Sequence, residues 1–154
     1  MSDTGTAESR QDFTLRLDDQ LCFALYAASR AVTARYRPLL QELGLTYPQY
    51  LVMLVLWERD SASVRDLGEA LQLDSGTLSP LLKRLETYGL IRRERRLEDE
   101  RSVLVSLTEE GLALRERADA VPPAMGEAMG LSPEQTSTVR SILRTLIANV
   151  TAED

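Results

Sequence analysis

A mainly helical fold with one small β-hairpin is predicted by three features of this 154-residue sequence. Long amphipathic stretches, with apolar residues three and four positions apart, lie on both sides of its central part, and this period is typical of α-helices. In the centre, residues 63–88 read as two helices joined by a tight turn. Two stretches with strand-like alternation follow, at 91–96 and 102–107. A helix-turn-helix followed by a hairpin is a winged helix-turn-helix, whose second helix enters the DNA major groove.

The second helix of this motif has recognisable start, stop and face signals. Ser63 is a hydroxyl cap for the first helix, Asp74 caps the second, and Gly89 can take positive φ where that helix ends after Tyr88. Four leucines form one apolar stripe: Leu78, Leu81, Leu82 and Leu85. The polar side chains on the remaining surface are candidate contacts to base edges and phosphates: Ser75, Thr77, Ser79, Lys83 and Arg84. Pro80 lacks a backbone N–H, so we expect it to bend this helix.

Basic side chains are concentrated in one part of an otherwise acidic chain. The formal net charge of -6 and the pI near 4.8 argue against binding nucleic acid by bulk attraction. Between residues 83 and 96, however, six basic residues stand against only two acidic ones: Lys83, Arg84, Arg92, Arg93, Arg95 and Arg96 against Glu86 and Glu94. This segment is where a phosphate backbone is expected, with Arg93 and Arg95 as contacts from the strand. The alternative for each strand arginine is a solvated surface charge.

Four regions are predicted within one compact chain. They are a disordered polar tail (1–16), N-terminal helices for dimerisation and sensing (17–60), the DNA-binding winged helix-turn-helix (61–107) and C-terminal dimerisation helices (108–154). Pro38 is expected to bend or break the first long helix, and residues 121–123 to interrupt the helix after the hairpin.

The first and last helices carry long apolar faces that a small domain does not need as isolated arms. Packed on each other and on their copies in a second chain, they predict a homodimer interface. Thr46 and Gln49 form a capping box for a helix whose apolar run includes Met53 and Trp57, which we interpret as core.

Composition is ordinary for a soluble globular protein, with 44% hydrophobic and 27% charged residues. No targeting or membrane segment is visible, and we expect no metal or other cofactor. The sole cysteine, Cys22, excludes an internal disulfide framework and fits a reducing cytoplasm.

Several strings in the sequence resemble one family of regulators. The order of elements looks like the MarR family of winged-helix repressors. The strings LCFALYAASRA (21–31), LGLTYPQYLVMLVLWE (43–58), LDSGTLSPLLKRLE (73–86) and DER (99–101) are similar to its organic hydroperoxide resistance regulators (OhrR). The resemblance covers roughly residues 17–108. It implies a non-enzymatic repressor that binds double-stranded DNA at an inverted repeat and releases it on oxidation by an organic hydroperoxide.

The resemblance also implies roles for individual residues. Cys22 is expected to be a peroxide-sensing thiolate, hydrogen-bonded by Tyr36 and Tyr47. Fourteen residues of helix separate Cys22 from Tyr36, about 21 Å along the axis, so Tyr36 cannot reach the thiol of its own chain while both lie on one helix. An antiparallel partner chain could bring it there, and sensing by this pair would then require the dimer. At the hairpin tip, Arg101 is expected to enter a narrow minor groove, with Asp99 orienting it through an ion pair.

Other interpretations of the same residues stay open. Asp18 and Asp19 either disfavour a thiolate at Cys22 or cap its helix. Without the resemblance, Cys22 is more simply an inert buried hydrophobe, and we interpret Tyr26 as core. Because no second cysteine is present, oxidised Cys22 is expected to form a mixed disulfide with a low-molecular-weight thiol, the alternatives being further oxidation or a link between two Cys22 residues.

The rival functions are a MarR-type repressor released by a small phenolic or aromatic ligand, with Cys22 passive, and a thiol peroxidase.

Overall fold

The structure is a computed structural model that describes residues 14–96 and 99–153, of which residues 99–101 are described by their backbone only. A 3₁₀ turn at Leu17–Asp19 precedes helix α1. The helices are α1 (Leu21–Gln41), α2 (Tyr47–Arg59), α3 (Val64–Leu71), α4 (Ser75–Thr87), α5 (Glu109–Ala118), α6 (Val121–Met129) and α7 (Pro133–Thr151). The strands are β1 (Ser61–Ser63), β2 (Ile91–Arg96) and β3 (Asp99–Leu107). The predicted mainly helical winged helix-turn-helix is confirmed.

The sheet has three antiparallel strands in the order β1-β3-β2. Strand β1 was not predicted, because three residues of sequence Ser-Ala-Ser carry no strand pattern of their own. It forms because Ala62 pairs with Val105 of β3, and both side chains are buried. The hairpin of β2 and β3 is called the wing below; β3 is the central strand of the sheet, and β2 is an edge strand.

The core is built where α2, α3 and α4 meet the sheet. Leu78, Leu82 and Leu85 of α4 are almost completely buried, together with Met53 of α2 and Ile91 of β2. The predicted leucine stripe of α4 therefore faces inward, and the prediction that Met53 and Trp57 belong to the core is confirmed. Burial of this stripe holds α4 at a fixed angle to the sheet and leaves its opposite face to solvent.

The predicted helix ends are mostly confirmed. Thr46 and Gln49 form the complete capping box of α2, and Gly89 takes φ of 77° just beyond α4. The predicted interruption of the helix after the hairpin is present, but it falls at residues 119–120, and residues 121–123 form the first turn of α6. The predicted disordered tail lies largely outside the described residues.

The expectations for Pro38 and for the acids before α1 need correction. Pro38 does not break α1, which continues to Gln41, because Leu40 beyond it is buried in the core and holds the last turn. Helix α4 also continues through Pro80, and the bend expected there stays a prediction. Neither Asp18 nor Asp19 caps α1, whose N-cap is Gln20 without a side-chain bond.

The start of α5 packs closely against the end of the helix-turn-helix. Thr108 Oγ1 donates to the carbonyl of Gly89 (2.5 Å) and accepts from the N–H of Gly111 (3.1 Å). The indole N–H of Trp57 donates to the carbonyl of Gly111 at 2.9 Å. A Cβ added at Gly111 lies only 2.0 Å from the carbonyl oxygen of Leu90. This junction requires glycine for space.

We therefore expect Gly111→Ala to lower the free energy of unfolding by about 2–3 kcal/mol, as overpacking against backbone does. Gly126→Ala is the matched control, because nothing lies within 4 Å of a Cβ there and the site is inside α6. Alanine is the better helix former, so the control is expected to be neutral or stabilising by about 0.5–1 kcal/mol. Urea denaturation of both variants measures the difference, and equal midpoints contradict the expectation.

Candidate DNA-binding and redox-sensing sites

The surface of α4 presents the polar residues that the sequence singled out. Asp74 accepts a hydrogen bond from the N–H of Thr77 at 2.7 Å, and this bond holds the pKa of the Asp74 carboxyl below its usual value. The cap fixes the first turn of α4. All five predicted contact residues of this helix are exposed: Ser75, Thr77, Ser79, Lys83 and Arg84. The helix thus offers a continuous polar face with hydroxyls near its start and two cations further along.

The arginines of the wing divide into two groups. Arg92, Arg95 and Arg96 are exposed. Arg93, which the sequence suggested as a DNA contact, is instead partly buried and paired with Glu86 at 3.1 Å. Charge counting alone could not find this partner, because Glu86 lies seven residues earlier on a different element.

The predicted pair at the wing tip is described only by its backbone. Both Asp99 and Arg101 lie in β3, which begins at Asp99. Their side chains lie outside the described residues, so the predicted ion pair and minor-groove contact stay predictions.

Cys22 lies in the first turn of α1 and is exposed. Within one chain, Cys22 is therefore not a buried core residue, and its sensing role stays a prediction. Tyr26, one turn further on, is 60% exposed, and the guanidinium of Arg30 lies 5.5 Å from its ring centre. The interpretation of Tyr26 as core is wrong, because the first half of α1 extends away from the helices that make the core.

Tyr36 and Tyr47 meet in a cluster with a third tyrosine. Their ring centres are 4.7 Å apart, and those of Tyr36 and Tyr50 are 5.8 Å apart. Tyr50 also lies edge-on to Trp57, with 6.4 Å between ring centres. Sequence reasoning missed Tyr50, although its i, i+3 spacing from Tyr47 on α2 places both on one face.

Burial raises the pKa of Tyr36, Tyr47 and Tyr50 above the ordinary 10.0, and the neighbouring phenols raise it further for Tyr36 and Tyr50. These phenols therefore keep their protons at neutral pH and can act as hydrogen-bond donors. Tyr36 and Tyr47 are only half-buried, whereas Tyr50 is buried. The two half-buried rings thus form the accessible side of the cluster.

One chain does not bring Cys22 to this cluster. Both Cys22 and Tyr36 belong to the uninterrupted helix α1, in which fourteen residues span about 21 Å. The structure therefore confirms that Tyr36 lies beside Tyr47 and separates both from the thiol of their own chain.

Within residues 14–96 and 99–153, no three potential metal ligands gather into a metal site. In the same part of the chain, every helix is too short or too polar to cross a membrane.

Residues 34–117 match the family model described as transcriptional regulator SarA/Rot. The organic hydroperoxide resistance transcriptional regulator of Bacillus subtilis is 52% identical over 136 residues, which are 86% of this chain and 90% of that protein. The chain belongs to the MarR and SarA/Rot family of winged-helix transcriptional regulators. The resemblance stated above is confirmed, and so is the prediction of a regulator rather than an enzyme.

Solved structures of another family member are similar to this regulator over most of its length. Overoxidised AbfR of Staphylococcus epidermidis bound to DNA is 38% identical, with a TM-score of 0.73. The match covers 88% of this regulator and 95% of the AbfR chain. Reduced AbfR bound to DNA is 36% identical, also with a TM-score of 0.73, over 89% and 96% of the two chains.

Proposed function

We propose that this regulator is a homodimeric transcriptional repressor that senses organic hydroperoxides by oxidation of Cys22 and then releases its operator. The observation that carries the proposal is an exposed cysteine at the start of α1 combined with a tyrosine pair at its other end. The similarity to a hydroperoxide resistance regulator at 52% identity supports the same function.

A second chain is proposed to bring its tyrosines to Cys22, which the tyrosines of the same chain do not reach. Exposed apolar side chains lie at the start of α1 and along α7: Leu21, Phe23, Val139, Ile142, Ile147 and Val150. Several exposed large apolar side chains on one helix face usually mark an interface. If the α1 helices of two protomers run antiparallel, Cys22 of one protomer comes close to Tyr36 and Tyr47 of the other. The dimer is then both the DNA-binding unit and the sensing unit.

The chemistry proposed for Cys22 has two balanced steps. Hydroxyl groups of Tyr36 and Tyr47 donate to the sulfur and favour its thiolate form. The thiolate attacks the hydroperoxide, its sulfur forms a bond to the terminal oxygen, the O–O bond breaks, and an alcohol leaves after protonation. The resulting sulfenic acid then condenses with a low-molecular-weight thiol, which forms a mixed disulfide and releases water. The bulky adduct displaces the tyrosines and changes the spacing of the two DNA-binding units.

The similarity to AbfR favours the mixed disulfide over further oxidation as the releasing form. AbfR has been solved on DNA in both its reduced and its overoxidised state. Oxidation to the sulfinic or sulfonic level adds only oxygen atoms, whereas a thiol adduct adds a whole molecule at the interface. We therefore assign release to the adduct.

On DNA, the two α4 helices of the dimer occupy successive major grooves about 34–36 Å apart, so the operator is an inverted repeat. Ser75, Thr77 and Ser79 face base edges and nearby phosphates, while Lys83 and Arg84 contact phosphates. The wing of residues 91–107 follows the backbone towards the minor groove, where Arg101 is the proposed inserted side chain.

The function is tested by measuring operator binding before and after one equivalent of organic hydroperoxide, with and without a small thiol. The proposal predicts tight binding of the reduced protein and release only when oxidant and thiol are both present. In a separate assay with excess hydroperoxide and thiol, sustained consumption of peroxide beyond one equivalent per Cys22 indicates a thiol peroxidase and contradicts the proposal. Unchanged binding in every condition contradicts it as well.

Release by a small phenolic ligand is the second candidate, supported by one cleft. The cleft has a volume of about 660 Å³ and lies between the loop after α1 and helix α5. Apolar Leu43, Leu90 and Leu114 line it together with the charged Glu110 and Arg117, which suits a small phenol with polar groups at its edge. In that case the ligand releases DNA without oxidant, and Cys22→Ser has no effect.

Lys83→Ala is expected to weaken binding about equally for specific and random DNA, because a phosphate contact carries no sequence information. The slope of log affinity against log salt is expected to fall by about 1. Arg140→Ala, which removes an exposed charge from α7, is the control and is expected to leave the slope unchanged. Titrations at several salt concentrations decide this, and an unchanged slope for Lys83→Ala means that it touches no phosphate.

A further inference from the structure

Glu86 joins the end of α4 to the wing through both of its carboxylate oxygens. Oε2 accepts the backbone N–H of Arg93 at 3.1 Å, and Oε1 accepts Nη2 of the same residue at 3.1 Å. The side chains are 40% exposed for Glu86 and 29% for Arg93. These hydrogen bonds hold the pKa of the Glu86 carboxyl below its usual value. We call this two-residue arrangement the wing clamp.

Glu86 accepts a hydrogen bond from a backbone N–H of β2 that points away from the sheet. Strand β2 is an outer strand, so its alternate N–H groups point away from β3. Glu86 takes the one at Arg93, two residues into the strand and beyond the tight connection at Gly89. The carboxylate thus fixes the strand itself to the helix, and not only its first residue.

The clamp also turns Arg93 away from the role that its charge suggested. Its Nε is buried, and its guanidinium is engaged by Glu86. The neighbours Arg92, Arg95 and Arg96 are exposed on the same strand and remain available to phosphates.

We propose that Glu86 and Arg93 are positioning residues for DNA binding, which hold the wing at the angle to α4 at which both contact one half-site. The inference rests on the proposed function. It has an unusual consequence for Glu86. Removing a negative charge near a DNA-binding surface ordinarily strengthens DNA binding, because the phosphates are repelled less. Removing Glu86 weakens binding instead, because the wing then samples orientations that miss the backbone.

The clamp predicts weaker operator binding for Glu86→Ala, whereas loss of charge repulsion alone predicts stronger binding, so this variant is decisive. Glu94→Ala is its matched control. Glu94 is an exposed carboxylate of the same strand, one residue from Arg93. Operator affinity is measured across a salt series, and circular dichroism with thermal melting checks the fold. We expect Glu86→Ala to lower affinity about tenfold with an unchanged salt slope, and Glu94→Ala to bind as well as or better than wild type.

Three further variants keep the result decisive if Glu86→Ala folds poorly. Glu86→Gln keeps an oxygen for the Arg93 N–H and is expected to restore most of the affinity. Arg93→Ala removes the guanidinium bond but keeps the backbone N–H, so it is expected to weaken binding less than Glu86→Ala, with no change in salt slope. The double variant Glu86→Ala/Arg93→Ala is expected to be no weaker than Glu86→Ala alone, because removal of Glu86 already breaks both bonds.

Two outcomes overturn the clamp. One is Glu86→Ala binding as tightly as wild type or more tightly. The other is a salt slope lowered by about 1 in Arg93→Ala, which makes Arg93 a phosphate contact. If wild-type protein itself does not bind operator DNA, the proposed function fails, and that result is distinct from both.

Discussion

Replacing Cys22 with serine is expected to leave the repressor on its operator after treatment with an organic hydroperoxide and a small thiol. A serine hydroxyl is nearly the same size, but it neither attacks the peroxide bond nor forms a disulfide. Wild-type protein is expected to lose affinity by about 5- to 150-fold under the same treatment, the usual range for coupling between two sites. Operator titration of both proteins, before and after oxidation, gives this difference directly.

The untreated serine variant is the necessary control. It is expected to bind the operator as tightly as reduced wild type, because Cys22 is exposed at the start of α1, far along the chain from α4. If oxidant and thiol release the serine variant from the operator as well, Cys22 is not the switch.

The second large effect is expected from the phenolic hydroxyls. Tyr36→Phe and Tyr47→Phe each keep the packed ring of the cluster and remove one donor from the proposed thiolate. A hydrogen bond to a charged group contributes about 1.5–3 kcal/mol, so each variant is expected to slow Cys22 oxidation by about tenfold or more. The rate is followed as loss of free thiol under a fixed excess of organic hydroperoxide.

Tyr26→Phe is the control for these two variants. Tyr26 is one helical turn from Cys22 in the same chain, yet it lies outside the tyrosine cluster. The account predicts near wild-type oxidation for this variant. If Tyr26→Phe is slow while Tyr36→Phe and Tyr47→Phe are fast, the donor is a local neighbour and the partner chain has no part in sensing.

The sequence was most informative where local rules decide the structure. The cap at Asp74, the leucine stripe of α4 and the stop at Gly89 follow from short-range patterns, and all three are present. The contact of Tyr36 with Tyr47 came from the family resemblance, since residues on two different helices give no periodic signal.

Long-range partners explain what the sequence did not show. Strand β1 exists only because β3 pairs with it, and Arg93 faces Glu86 only because α4 and β2 lie side by side. Pro38 is tolerated because the buried Leu40 anchors the turn after it. Tyr26 is apolar enough for a core, but its part of α1 reaches beyond the chain's own core.

The central claim is that the Cys22 thiolate of each protomer accepts hydrogen bonds from Tyr36 and Tyr47 of the other protomer. A mixed dimer tests this claim most directly. One chain carries Cys22→Ser with both tyrosines intact, and the other carries Tyr36→Phe and Tyr47→Phe with Cys22 intact. The only thiol then lies on the chain that lacks both hydroxyls. The account predicts that this thiol is oxidised about as fast as in wild type, because its partner supplies the donors. Oxidation as slow as in the Tyr36→Phe/Tyr47→Phe homodimer contradicts the account.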